Sequence, residues 1–285
     1  MWSVTKPQLD PGDTFDLCIS KVKNKALKTR FEGIRQTIVN DSATFEVRAA
    51  ASELHLVLQA STVDGQVTKD EMVALYDGRL AGKKGPGRSI YSALQLLPEN
   101  GRCPYCDHRD VSTLDHVLPK TLFPSLAVTP DNLVGSCKDC NKAKLAAAPT
   151  SASDAMLHPY FDVLAPMTWL RGQVVEQQVC AVLFRVERQV AWSAELNDRL
   201  LNQFRLLGLG RLYTQQAARE MSGIRKNLVR SYEAPGNGAE AVRWELRHQW
   251  ESRSDDAPNS WQAALYDALY QSEWFCDGGF RLGAP

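Results

Sequence analysis

The run CPYCDHRDVSTLDHVLPKTLFPSLAVTPDNLVGSCKDCNKAK, from Cys103 to Lys144, holds two Cys-x-x-Cys pairs with Asp115-His116 between them. Two residues between sulfurs let a tight turn present both to one ion, and Cys103, Cys106, Cys137 and Cys140 together suit the tetrahedron of a structural zinc. A structural zinc does not call for Asp115, His116, Asn132, Asn141 and Lys144 in the same 42 residues. Those five pose the functional question.

Working outward, residues 1–16 read as an extended arm rich in Pro, Gly and Asp. Apolar periodicity predicts helices over 17–39 and 43–60. Thr68 followed by Glu71 is a capping-box signature for a third helix, with Met72, Leu75, Tyr76 and Leu80 on one face. Gly82 to Arg88 reads as a flexible basic loop and lacks the Gly-Lys-Ser/Thr ending of a P-loop. Ser89 is placed to cap a short helix through Leu97. Beyond Lys144 a small-residue linker leads to the aromatic segment at 156–164. Alternation at Val179, Ala181, Leu183 and Val186 predicts two or three short strands within 173–192. Helices follow from Ala194, broken near Gly208 and Gly210, then one to Trp250 and a last one from Asn259 or Ser260 through Phe275. The expected organisation is a helical region over 1–98, a zinc-bearing module over 99–165, and short strands then partly basic helices over 166–285.

Composition places the chain among ordinary globular proteins, with 44% hydrophobic and 23% charged residues. No apolar run approaches the roughly 20 residues of a membrane span, so no membrane contact and a cytoplasmic location are expected. Cys18, Cys180 and Cys276 stand singly, as reduced core thiols do. Net charge is zero but uneven. Residues 79–145 hold ten Lys or Arg against six Asp or Glu, 199–230 hold seven against one, and 231–285 four against nine. Basic patches on a neutral chain suit a nucleic-acid binder, and solvated helix faces read the same way. Lys83, Lys84, Arg88, Lys120, Lys142, Arg205, Arg211, Arg219 and Arg225 are the candidate contacts to nucleic acid.

Breaking a phosphodiester requires an activated water and a cation on the phosphate, both fixed in space. A neutral imidazole is a suitable base, which points to His116. A hard divalent cation takes oxygen donors, which Asp115 and Asn141 would supply. Adjacent strand residues face opposite ways, so Asp115 and His116 must sit at a strand end or turn to serve one site.

Leu114-Asp115-His116 with Pro119, then Asn132-Leu133, then Cys-x-x-Cys-Asn-x-x-Lys ending at Lys144 resemble the HNH endonucleases, in the zinc-stabilised treble-clef form of the ββα-metal motif. The resemblance implies an α+β fold in which this nuclease module is flanked by helical regions. By it, His116 is the general base, Asn132 holds the loop carrying that histidine, and Asn141 takes the third position to bind Mg²⁺ or Mn²⁺ with Asp115. Lys144 matches a basic residue that touches phosphate, the four knuckle cysteines match the structural zinc ligands, and DNA is the implied substrate. The flanks are loosely similar to HNH proteins of bacterial antiphage systems such as Septu and Zorya, in Tyr105-Cys106, in Leu-Asp-His-x-x-Pro-Lys over 114–120, and in His158-Pro159-Tyr160-Phe161. That likeness implies an effector nuclease working with an ATPase or sensor partner. The reading from another class is a non-catalytic zinc module that binds nucleic acid or a protein partner.

Overall fold

The computed structural model describes residues 3–164, 167–176 and 180–282. It is an α+β protein that divides into two compact units, Met1–Val163 and Leu164–Pro285.

In the first unit, Pro11 is the first residue of α1 (Pro11–Ile19), and the Asp10 side chain caps it by accepting from the Asp13 amide at 2.8 Å. A proline at the first helical position lacks only a donor that would be orphaned anyway, so the Pro-Gly-Asp composition marks a helix start. The arm expected over 1–16 is therefore shorter, ending at Asp10. The predicted helix over 17–39 is also broken up: Asn24 caps α2 (Lys25–Gly33), and Ile34 joins it to α3 (Arg35–Ala50). That helix stops short of Ala60, because Ser52 takes φ 62° and a single turn at Leu54–Leu56 leads the chain away. A small antiparallel hairpin follows, β1 (Thr62–Val63) with β2 (Val67–Thr68). Its turn carries Asp64 at φ 51° and Gly65 at φ 64°. The Asp-Gly pair tolerates this left-handed geometry and is the local hairpin signal.

The capping box forms as read. Thr68 accepts from the Glu71 amide, and Glu71 accepts from the Thr68 amide at 3.0 Å, opening α4 (Lys69–Leu75). Such caps contribute about 1 kcal/mol. Arg30 reaches across to Glu71 at 2.5 Å and holds its carboxyl well below the usual range, at about 2. α4 runs into a wider turn, Tyr76–Leu80, in which the Ala81 amide donates to the Tyr76 carbonyl at 2.8 Å. The Gly82–Arg88 stretch, expected to be a flexible loop, folds back on that turn through Gly87 N to Arg79 O at 3.0 Å. A Cβ on Gly85 would lie 2.2 Å from the Arg79 carbonyl oxygen, so glycine there serves close backbone approach. α5 (Arg88–Leu96) has Gly87 at its N-cap, so Ser89 lies inside the helix.

The link between these helices and the cysteine segment is the core. Phe15, Ile34, Ile38, Met72, Leu80 and Leu94 bury with Leu114, Ala127, Val128 and Leu133 in one cluster. Strands β3 (Thr113–His116) and β4 (Leu133–Ser136) pair antiparallel, and α6 (Lys138–Lys144) follows at once. The ββα order is thus present, seated on the N-terminal helices.

In the second unit, β5 (Leu170–Val175) and β6 (Ala181–Val186) form a hairpin from Leu170↔Val186 to Val175↔Ala181. Val179, one of the residues behind the strand expectation, lies outside the described residues. Helices α7 (Ala194–Leu206) and α8 (Leu209–Glu233) break at Gly208, which takes φ 61°. Gly210 sits inside α8 and breaks nothing. α9 (Ala239–Asp256) runs past Trp250, Ser260 caps α10 (Trp261–Gln271), and α11 (Glu273–Cys276) follows. A Cβ on Gly172 would meet the Ala264 carbonyl oxygen at 2.6 Å, so glycine lets α10 lie close on β5. No helix among the described residues is long and apolar enough to cross a membrane.

Cys18, Cys180 and Cys276 are buried as free thiols, and burial pushes them up to about 12, 11 and 11. The thiolate is the nucleophile, so these three are expected to resist iodoacetamide at pH 8 in the native protein and to react in denaturant. Mass spectrometry of the alkylated protein reads the result, and native labelling of any of the three within minutes would contradict their placement.

Candidate active site

The knuckles come first because they shape the rest. All four sulfurs of Cys103, Cys106, Cys137 and Cys140 lie within 4.8 Å of one another and all four residues are buried. A zinc with bonds of about 2.3 Å needs sulfurs about 3.8 Å apart, and Cys106 and Cys137 stand at 4.0 Å. The donor set fits zinc. Cys137 is also the N-cap of α6, its sulfur accepting from the Cys140 amide at 3.3 Å. That cap fixes the helix that carries Asn141 and Lys144.

His116 is the last residue of β3, opposite Leu133. Its Nε2 lies 2.8 Å from the Ala127 carbonyl oxygen, and a carbonyl only accepts, so Nε2 carries the proton. In the neutral ring the lone pair is then on Nδ1. Burial holds the imidazole well below its ordinary range, at about 3, so it is uncharged at neutral pH. Asn132 is fully buried just ahead of β4. Its Oδ1 accepts from the Leu118 amide at 2.7 Å, and its Nδ2 donates to the carbonyls of Leu118 and Leu126 at 2.9 and 3.1 Å. The amide therefore ties both ends of the loop after His116 and fixes the peptide next to Ala127, the histidine's partner. Leaving any of these buried groups unpaired costs about 1–3 kcal/mol.

Asp115 precedes His116 and is 2% exposed. Tyr105 donates its hydroxyl to Asp115 Oδ2 at 3.0 Å, and Lys144 Nζ lies 3.4 Å from Oδ1 and 3.3 Å from Oδ2. The same ammonium donates to the His116 carbonyl. Burial raises the Asp115 carboxyl, and the Lys144 charge opposes that. Asn141 donates Nδ2 to the Leu114 carbonyl at 3.1 Å, which leaves Oδ1 as its donor atom for an ion. One carboxylate and one amide oxygen fit a hard cation that keeps several waters. Such an ion would share the carboxylate with Lys144, which now serves as its positive partner.

Residues 103–146 match the family described as HNH endonuclease. They form an HNH domain. A curated relative, Protein ea31 of Escherichia phage lambda, is 29% identical over 238 residues, covering 79% of each chain. No solved structure gives a match.

The HNH domain brings His116, Asp115, Asn132, Asn141 and Lys144 within one ββα unit. Lys144, read as a phosphate contact, is 4% exposed and turned inward to Asp115. Among the basic candidates in the same unit, Lys83, Lys84 and Lys142 are exposed. Arg88 donates to the Ala81 carbonyl at 2.8 Å and lies over the Tyr91 ring. Lys120 pairs with Asp77 at 2.5 Å. Arg205, Arg211 and Arg219 are exposed on α7 and α8 of the other unit, and Arg225 is half-buried there. The acidic stretch 231–285 carries ion pairs of its own, Arg247–Glu251 at 2.9 Å among them. His108 is half-buried beside the first knuckle and is not among the clustered ligands. His158 is fully buried against Phe45, Tyr160 and Phe161, with Nε2 donating to the Asp131 carbonyl at 3.0 Å.

Two further residues lie at the site without a role expected from the sequence. Tyr105 lies between the first two cysteines, and an aromatic hydroxyl held inside a knuckle was the available signal. Tyr76 lies against His116 with ring centroids 4.4 Å apart. Its helical spacing marks it only as core.

Proposed function

We propose that this chain is a metal-dependent endonuclease that hydrolyses DNA phosphodiester bonds, with one active site nicking one strand. The observation that carries the reading is the neutral His116 ring at the end of β3, pinned through Nε2 to the Ala127 carbonyl so that Nδ1 holds the lone pair. Nδ1 of His116 takes the proton from the attacking water. Asn132 keeps the loop, and hence the Ala127 carbonyl, in place while it does so. Asp115 and Asn141 would hold the Mg²⁺ or Mn²⁺. When bound, that ion supplies positive charge to the scissile phosphate and the leaving oxygen. Lys144 compensates the buried carboxylate and ties the His116 backbone to α6.

Exposed Lys83, Lys84, Lys142, Arg205, Arg211 and Arg219, with half-buried Lys120, are the proposed contacts to the DNA backbone, while Arg88 and Arg225 are engaged or enclosed elsewhere. Phosphate contacts release counterions, so binding is expected to weaken steeply with salt. The layout of the flanks extends the proposal to an effector of antiphage defence working with an ATPase or sensor. The lambda relative, being phage-encoded, lends that extension no support.

Supercoiled plasmid incubated with the purified protein and Mg²⁺ or Mn²⁺ tests the reading. Open-circular product that requires the metal is the expected result. Intact plasmid under every divalent ion, with DNA binding retained, would transfer the assignment to the non-catalytic zinc module.

A further inference from the structure

Tyr76 and Asp77 lie outside the HNH domain, on the wide turn that ends α4. Such turns shift the register of side chains relative to an ordinary helix and recur at functional sites. Here the shift has two visible results. The Tyr76 ring, 6% exposed, meets the His116 imidazole edge-on at 66° with centroids 4.4 Å apart. Lys120 Nζ lies 4.2 Å from the centroid of that same ring and 2.5 Å from Asp77 Oδ1. One aromatic ring thus touches both the base and a cation four residues further along the chain.

A lysine on a solvated loop samples many rotamers, and ordering it costs up to about 2 kcal/mol. The Tyr76 ring and the Asp77 carboxylate meet that cost before substrate arrives, by a cation–π contact and an ion pair. The Lys120 side chain remains 21% exposed and is not sealed in the core. A phosphate placed for attack by water bound at His116 Nδ1 would lie close to it. Charge that builds on the phosphate oxygens is best met by a cation already in position.

We propose that Tyr76 is a positioning residue of the cutting reaction, seating the His116 imidazole and the Lys120 ammonium beside the same DNA phosphate. Lys120 leaves Asp77 for a non-bridging phosphate oxygen, while the ring keeps the imidazole from turning. The inference rests on the nuclease reading of this site.

The test compares wild type with Tyr76→Phe, Tyr76→Leu and Lys120→Met in plasmid nicking, in DNA binding without divalent metal, and in ring ¹⁵N spectra of His116. Tyr76→Phe keeps the aromatic face and should cut within about threefold of wild type, whereas Tyr76→Leu should lose at least about tenfold in kcat with little change in KM. Lys120→Met should lose at least about tenfold in kcat/KM. In the spectra, wild type and Tyr76→Phe should show the single Nε2-protonated tautomer, and Tyr76→Leu a mixture. Phe falling as far as Leu, or wild-type cutting by Lys120→Met, would overturn the proposal. If wild type does not cut, the nuclease reading fails separately, and a Leu variant that keeps one His116 tautomer sinks the positioning role as well. Should Tyr76→Leu fail to fold, Lys120→Met and the Phe comparison still decide.

Discussion

Replacing His116 with alanine is expected to lower metal-dependent nicking by about 10²–10⁴-fold, the usual contribution of a positioned general base. DNA binding should remain within about twofold, because backbone contacts fix affinity and His116 is not among the basic candidates. The pH dependence gives a second handle. Burial lowers the His116 pKa to about 3, so the basic form persists as pH falls from 8 to 5. An unperturbed imidazole, near 6.5, would lose about tenfold of its basic form per pH unit below that value. The rate profile should therefore show no acid limb with an inflection near 6.5. Such an inflection in wild type, or nicking that survives His116→Ala, would remove His116 from the role of base.

How much of this was legible in the sequence depends on the range of each interaction. Zinc spacing and Asp115-His116 announce themselves because knuckle and strand geometry is local, whereas the role of Asn132 and the α+β class come from the resemblance to the HNH endonucleases. The constraint that adjacent strand residues diverge correctly sent His116 to the end of β3. The capping box at Thr68 and Glu71 was legible for the same reason. Asp64-Gly65 was an equally local hairpin signal, obscured by a helical pattern carried through to Ala60. Pro11 is ambiguous in sequence because proline both breaks helices and begins them, and the Asp10 cap separates the two cases. Lys144 illustrates a limit of charge reading. A lysine reads as surface, yet this one is buried because its partner, Asp115, lies 29 residues earlier. Tyr76 is more remote still: nothing near it in sequence reveals that a wide turn sets it against His116 and Lys120.

Withdrawing zinc should have the larger structural effect. The four cysteines close both ends of the segment from Cys103 to Cys140, whose two strands are only four residues each. So small a hairpin has little core of its own, and structural zinc contributes an apparent 10–16 kcal/mol or so in comparable peptides. That matches or exceeds the roughly 5–15 kcal/mol net stability of a whole domain. Without the ion, four buried sulfurs must either repel as thiolates or be protonated, and the cap that Cys137 gives α6 loosens. Leu114 and Leu133 share a core with Phe15, Ile38 and Met72, so the loss reaches α1, α3 and α4. Elemental analysis is expected to find one zinc per chain. Chelation under denaturing pressure, or Cys137→Ser, should abolish zinc retention and the cooperative melting of residues 1–163. The unit at 164–285 contains none of the four ligands, so part of the helical signal should survive. A Cys137→Ser protein that melts as wild type does, with no zinc bound, would show that packing alone holds the ββα unit.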